Sequence, residues 1–486
     1  MHQQGQIDLS KYSINKIRNE LWTSYLLSER RCLRKACEWV EDLIFALPEA
    51  GEEKLLAKLG KELNDGYNAK FEHARVCFHL QEYERAAHIL KDQLDDDESR
   101  FLHFFAKYKG AEKKRIDHMN EVTINIPKKA MSKFNELRDS IERSMDSKPP
   151  DGWLLYVYGL VLRKFELQKM AVEILVKSVN LQPNNWSAWY MLDALLENKE
   201  QLHELSLPSH LFRIFFYLMI RVNLDMVPEE SWKYNSHKEV KNFMDRYFKD
   251  SLFVQTLECR SVGYQNSQYN FAIDSFESIR IKDPYRVEAM DVYSNLLFVR
   301  KSSKELSKLA YDMEKVAPFT AEANACIANS YSSREQHTKA IVYFTRALRI
   351  NPDCSNSWTL IGQEYLEMKS IEKALQAYRH AITLNKRNSP AWLGLGNAFE
   401  TLNGAPNVSA PNFSQCLYYY SQVARYRPKD HIMYMAMGCV YHRLDDLSMT
   451  VVCLKRAGPE GMQKLLTLCE ENNISLDSIE ESVQSQ

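Results

Sequence analysis

The sequence predicts an all-α chain of stacked helix–turn–helix repeats, and three observations predict it. Pro284, Pro318 and Pro352 stand 34 residues apart, as do Trp358 and Trp392. Only 15 Gly and 15 Pro occur in 486 residues, few enough for helices joined by short turns. Within the 34-residue period, large, small and aromatic residues recur at fixed places, the mark of a repeat array.

The repeat at 355–388 supplies Trp358, Ile361, Gly362, Tyr365, Ala374, Tyr378 and Ala381, with Lys386 where Pro is expected. The repeat at 321–354 supplies Ile327, Ala328, Tyr331, Ala340, Phe344, Ala347 and Pro352. Repeats starting at 389 and 431 carry Trp392, Leu395, Gly396 and Phe399, then Tyr434, Met437, Gly438 and Tyr441. This is the tetratricopeptide (TPR) pattern. Its first four positions form one stripe of a first helix, and the later three form one stripe of a second. The small residues let the two helices approach, and the terminal Pro stops the second helix. The expected fold is a right-handed TPR superhelix, an α-solenoid in which the aromatic stripe is core.

The register extends backwards. Repeats at 253–286 and 287–320 supply Ala272, Phe276 and Pro284, then Met290, Leu297, Ala310 and Pro318. The segment 152–185 supplies Gly159, Leu162, Ala171, Leu175 and Pro183, which leaves room for two degenerate repeats at 186–252. The expected organisation is an N-terminal helical segment (1–66), N-terminal repeats (67–108) and a partly mobile insertion with a helix near 128–145 (109–150). Central repeats (151–252), a C-terminal array with an inserted loop at 403–412 (253–460), and a helix or tail (461–486) follow. Residues 1–66 read as a non-consensus repeat or a cap. The run Asp95-Asp96-Asp97-Glu98 reads as a solvated turn, and His73 as a packed core histidine.

Composition narrows the function. Lys plus Arg is 63 and Asp plus Glu is 64, so no global basic field recruits nucleic acid. Ten scattered cysteines form no C-x-x-C pair, as expected of reduced thiols in the nucleus and cytoplasm. The N-terminus lacks the apolar core of a signal peptide. The run Leu211–Val222 is interrupted by Arg213 and Arg221 and is too short for a bilayer, so no membrane partner is expected. No phosphate-cradling glycine loop, H-E-x-x-H, zinc spacing or G-x-S-x-G occurs. The expectation is a protein without catalytic residues, metal or cofactor.

A non-catalytic site should lie on the concave face, lined by first-helix positions 2, 5, 9 and 12 at about 100° per residue. Position 9 is Asn295, Asn329, Gln363 and Asn397 in four successive repeats. Side-chain amides donate and accept together, which suits the backbone of an extended peptide. Glu322, Glu364 and Glu367 flank the row and would favour a peptide carrying Arg.

The stretches LYVYGLVLRK, DPYRVEAMDVYSNLLFVR, EQHTKAIVYFTRALRINP, SWTLIGQEYLEMK, ALQAYRHAITLNKR and CLYYYSQVARYRP resemble the family of anaphase-promoting complex subunit 8, cell division cycle protein 23. The resemblance runs from about residue 67 to 457, with EYERAAHIL and FLHFFAKYKGAEKK near its start. It implies a scaffold subunit of a cell-cycle ubiquitin ligase, in contact with other subunits of that complex. It also implies a homodimer formed through N-terminal repeats, and a C-terminal groove that receives an Arg-containing segment of the activator subunit. Asn295, Asn329 and Glu364 would be part of that groove. The alternative is another TPR adaptor, such as a chaperone cofactor, but such a clamp needs Lys and Arg that positions 2, 5 and 12 do not supply consistently.

Overall fold

A computed structural model describes residues 9, 12–48, 68–117, 128–197, 199–223, 237–265, 269–403, 413–427 and 430–472. Among the described residues there are helices and no strands. The chain divides into two units, Met1–Pro284 and Tyr285–Gln486.

The first unit runs in helix pairs: α1 (Ile14–Arg30) with α2 (Arg34–Phe45), α3 (Ala69–His79) with α4 (Tyr83–Ile89), and α5 (Asp97–Asp117) with α6 (Lys128–Ser147). Next come α7 (Gly152–Lys164) with α8 (Gln168–Leu181) and α9 (Trp186–Leu195) with α10 (Lys199–Glu204). The last pairs are α11 (Leu211–Asn223) with α12 (His237–Tyr247), and α13 (Leu252–Gln265) with α14 (Tyr269–Lys282). In the second unit α15 (Met290–Val299) pairs with α16 (Ser303–Val316), α17 (Ala321–Ser332) with α18 (His337–Ile350), and α19 (Ser355–Glu367) with α20 (Ile371–Leu384). It ends with α21 (Ser389–Asn403) and α22 (Phe413–Tyr426), α23 (His431–Arg443) and α24 (Leu447–Arg456), and a last helix α25 (Pro459–Asn472).

Two local devices recur among the described pairs. Cys32, Gln81, Glu166, Lys301, Glu335, Lys369 and Asp445 have φ between 57° and 61°, and each closes a first helix. The residue after the left-handed one then reaches back: the Gln336 N–H donates to the Tyr331 carbonyl (3.0 Å) and the Ser370 N–H to the Tyr365 carbonyl (2.8 Å). This left-handed cap ends the helix and reverses the chain, at a cost of about 1 kcal/mol for a residue other than glycine. The second device is the large residue near the start of the first helix. The indole N–H of Trp358 and of Trp392 donates to the carbonyl of Pro352 (3.4 Å) and Lys386 (2.8 Å), and Trp189 does the same to Pro183 (2.8 Å). The aromatic stripe thus packs and also ties down the end of the preceding helix.

The small residues mark close approach. A Cβ at Gly362 would stand 2.7 Å from Tyr378 Cε1, and one at Gly394, in the following repeat, would stand closer still. The Tyr378 ring lies buried between two successive first helices because both present glycine.

The expected break at 109–150 is narrower than the sequence suggests. Helix α5 continues to Asp117, and α6 buries Phe134, Leu137 and Ile141; only 118–127 lie outside the described residues. Buried Arg100 secures the end of α6. Its guanidinium donates to the carbonyls of Ser144 (3.0 Å), Lys148 (3.0 Å) and Pro149 (3.1 Å) and to Ser144 Oγ (3.0 Å). A cation there satisfies carbonyls that have no helical partner and opposes the negative end of the helix dipole. Of the inserted loop expected at 403–412, residues 404–412 lie outside the described residues, as do 473–486 of the expected tail.

The N-terminal segment is neither a terminal cap nor a simple further repeat. Trp39 of α2 stacks on Trp186 of α9, with ring centres 3.7 Å apart and planes 6° apart. Phe212 and Phe215 of α11 and Phe253 of α13 meet the Trp39 ring edge-on at 5.1–5.7 Å. Asp42 accepts from Ser251 Oγ (2.8 Å) and from the Phe253 N–H (3.1 Å), and Ser24 donates to the Asn184 carbonyl (2.8 Å). Glu98 pairs with Arg30 and Arg31 (2.7 and 3.5 Å), so the acidic run read as a solvated turn ends in a half-buried ion pair. A second correction concerns His73, which is exposed because it faces away from the helix partner. The buried imidazole is His103 on α5: its Nδ1 lies 2.7 Å from the Ala87 carbonyl, and burial lowers its pKa to about 4. Burial lowers His210 to about 4 as well.

Two predictions follow from these features. Glu335→Gly and Lys369→Gly remove the side chain from an exposed left-handed turn, and each should stabilise the chain by about 0.5–1 kcal/mol in urea melts. His103 and His210 are neutral in the fold, whereas the unfolded chain binds protons below about pH 6.5. Stability should therefore be full above that pH and fall as pH drops toward about 4, by up to ~3 kcal/mol per histidine; His103→Asn should flatten the urea midpoint against pH.

Candidate functional site

The second unit presents its first helices α15, α17, α19, α21 and α23 side by side, and these carry the sequence-predicted residues. Neighbouring pairs bury aliphatic and aromatic residues such as Ala328, Ala340, Phe344, Ala374 and Tyr378 between them, which fixes the spacing of the first helices.

The amide row is not uniform. Asn329 is 1% exposed, and its Nδ2 donates to Asn295 Oδ1 (2.7 Å) and Ser294 Oγ (2.8 Å). Its donors are therefore used to join α17 to α15. Asn295 remains half-buried beside it. Gln363 is exposed. Asn397 is half-buried, with Oδ1 2.8 Å from the Tyr420 hydroxyl. That hydroxyl also lies 3.0 Å from Glu400 Oε2, and burial, then the Glu400 charge, hold the phenol well above its ordinary range.

The carboxylates separate in the same way. Glu364 was expected at the groove edge, and this placement needs correction: it is 3% exposed. Oε1 accepts from Ser332 Oγ (2.6 Å), and Oε2 lies 2.7 Å from His337 Nδ1. Glu364 thus ties α19 to the preceding α17–α18 pair, because a buried carboxylate must find donors and the neighbouring hairpin supplies both. Glu367 is exposed and Glu322 half-buried. Burial, then Glu367 and Glu364, raise the pKa of Tyr378, so its phenol stays protonated. The surface left for a ligand combines exposed Gln363 and Glu367 with half-buried Asn295, Glu322 and Asn397. It can hydrogen-bond a peptide backbone and attract a cation.

Sequence reasoning missed Glu400. It stands at position 12 of its repeat, accepts from Tyr420 and pairs with Arg443 of α23 (3.1 Å). Position 12 was already a lining position, so the signal was present. Among the described residues, no cluster of three His, Cys, Asp or Glu could hold a metal, and no helix is long and apolar enough to cross a membrane.

Comparison with known proteins adds the family. A tetratricopeptide repeat model matches 321–354 and 355–388, the same register read from the Pro and Trp spacing. The crystal structure of the APC/C hetero-tetramer Cut9–Hcn1 superposes with a TM-score of 0.57 at 16% identity, covering 90% of this chain and 78% of that one, which establishes likeness of fold. Anaphase-promoting complex subunit 8 of Arabidopsis thaliana is 34% identical over 301 residues, 61% of this chain and 50% of its own length. Cell division cycle protein 23 homolog of Homo sapiens is 35% identical over 308 residues, 62% of this chain and 49% of its own length. The matched part thus spans about half the length of these relatives. A family model described as anaphase promoting complex subunit 8 / Cdc23 matches residues 16–259. That match takes in α1 and α2, ahead of the residue-67 start that the sequence resemblance suggested. The chain belongs to the anaphase-promoting complex subunit 8 / Cdc23 family.

Proposed function

We propose that the chain is a non-catalytic scaffold subunit of the anaphase-promoting complex, a cell-cycle ubiquitin ligase acting in nucleus and cytoplasm. Family membership is the observation that carries this reading. The all-helical repeat architecture supports it, since stacked pairs offer long surfaces and few enclosed sites for chemistry. In this reading the N-terminal repeats make a homodimer, and other subunits of the complex contact the array.

The second unit's groove receives an Arg-containing segment of the activator subunit. Gln363 bonds the segment's backbone, and Glu367, with Glu322, attracts its guanidinium. Glu364 and Asn329 act behind them, holding neighbouring first helices in place. A chaperone-adaptor clamp is less well supported, because the exposed groove residues are amides and carboxylates where that clamp needs cations.

Tagged protein isolated from cells should recover other subunits of the complex by mass spectrometry; their absence would refute the scaffold reading. A double substitution, Gln363→Ala with Glu367→Gln, should weaken binding of an Arg-bearing activator peptide about tenfold, or ~1.4 kcal/mol, with little change in stability. Glu364→Ala should instead destabilise the chain by roughly 1–3 kcal/mol, because it leaves Ser332 and His337 without their acceptor.

A further inference from the structure

The α1–α2 hairpin touches the first helix of six successive pairs in its unit. Besides the Trp39 contacts with α9, α11 and α13, Glu29 pairs with Arg75 on α3, Arg30 with Glu98 on α5, and the Arg31 guanidinium lies 4.5 Å from the Trp153 ring centre on α7. First helices line the inner face of a TPR stack. The hairpin therefore lies on the face that such proteins use to hold partners.

Its contact has the anatomy of an interface between two molecules, with an aromatic centre and a rim of ion pairs and hydrogen bonds. The contact is also incompletely satisfied. The buried Ser28 hydroxyl, Trp39 indole N–H and Asn185 amide nitrogen find no hydrogen-bond partner there. A core formed as one piece leaves few such groups. The hairpin has the same left-handed turn, at Cys32, as two of the pairs it touches, at Gln81 and Glu166, so it is a self-contained helix pair seated on others.

We propose that α1–α2 is an in-cis occupant of the inner face of the first unit, closing that face to protein partners while it is docked. A tethered occupant competes at an effective concentration on the order of millimolar, so a micromolar rival gains the face only if something else first takes hold of the hairpin.

The test uses the whole 486-residue chain and a fluorescent synthetic peptide of residues 12–48. Wild type should not take up the peptide at micromolar concentration. Trp39→Ala, which empties the aromatic centre, should bind it at least about tenfold more tightly. Hydrogen exchange should then show new protection on α9, α11 and α13, and far-UV circular dichroism should show the rest of the unit still helical. Equal uptake by wild type and variant would overturn the proposal, as would no uptake by a variant that keeps its helicity. If Trp39→Ala unfolds the unit, the milder Asp42→Asn decides: uptake above wild type supports an occupant, and none means that the hairpin is fixed core.

Discussion

No helix pair in this chain can bury its own apolar face, and every other feature depends on that constraint. A pair offers one stripe to its partner helix and another to the next pair, so order propagates by stacking. Tyr378 shows how tight the coupling is. Its ring lies between Gly362 of its own repeat and Gly394 of the next, and a Cβ at either would clash. Polar groups trapped by the stacking must be satisfied across the same boundary. Asn329 reaches back to Asn295, Glu364 to Ser332 and His337, and Asn388 to Ser355 (2.5 Å) and Thr359 (2.9 Å). Each bond joins a first helix, or the residue that caps its start, to the preceding helix pair and resists slippage between the two.

The same constraint divides the residues of the groove into two kinds. Those that face the neighbouring repeat are used in holding it, and only those that stand clear of it can meet a partner. Asn329 and Gln363 occupy the same repeat position, yet one is buried and the other exposed. The first unit meets the constraint differently. Its inner face is covered by α1–α2, whose Trp39 lies among aromatic residues of three other first helices. The two units therefore present unlike inner surfaces despite sharing one repeat architecture.

Much of the fold was legible because local rules and stacking agree. The 34-residue spacing of Pro and Trp located the helix pairs, and the tetratricopeptide repeat model falls on the same boundaries at 321–354 and 355–388. Less legible was whatever depends on distant partners. Nothing near Trp39 in the chain announces Trp186, and nothing near Glu364 announces His337, which lies in the preceding repeat and arrives only through packing. His73 misled because an apolar neighbourhood in sequence does not say which side of the helix is covered. The insertion was read too broadly because α6 lacks the repeat pattern, while Arg100, the residue that anchors it, lies before α6 in the chain, on α5. For the candidate site, sequence found the helices and the row. Which members of the row remained available was decided by side-chain contacts between repeats.

The central claim is that the two inner faces differ in availability, with the second unit open to a peptide and the first closed by its own hairpin. Hydrogen–deuterium exchange on the intact chain, with and without an Arg-bearing activator segment, tests it most directly. The account predicts new protection on α17, α19 and α21 and none on α7, α9, α11 or α13. Protection on the first helices of the first unit, with α19 unchanged, would contradict it.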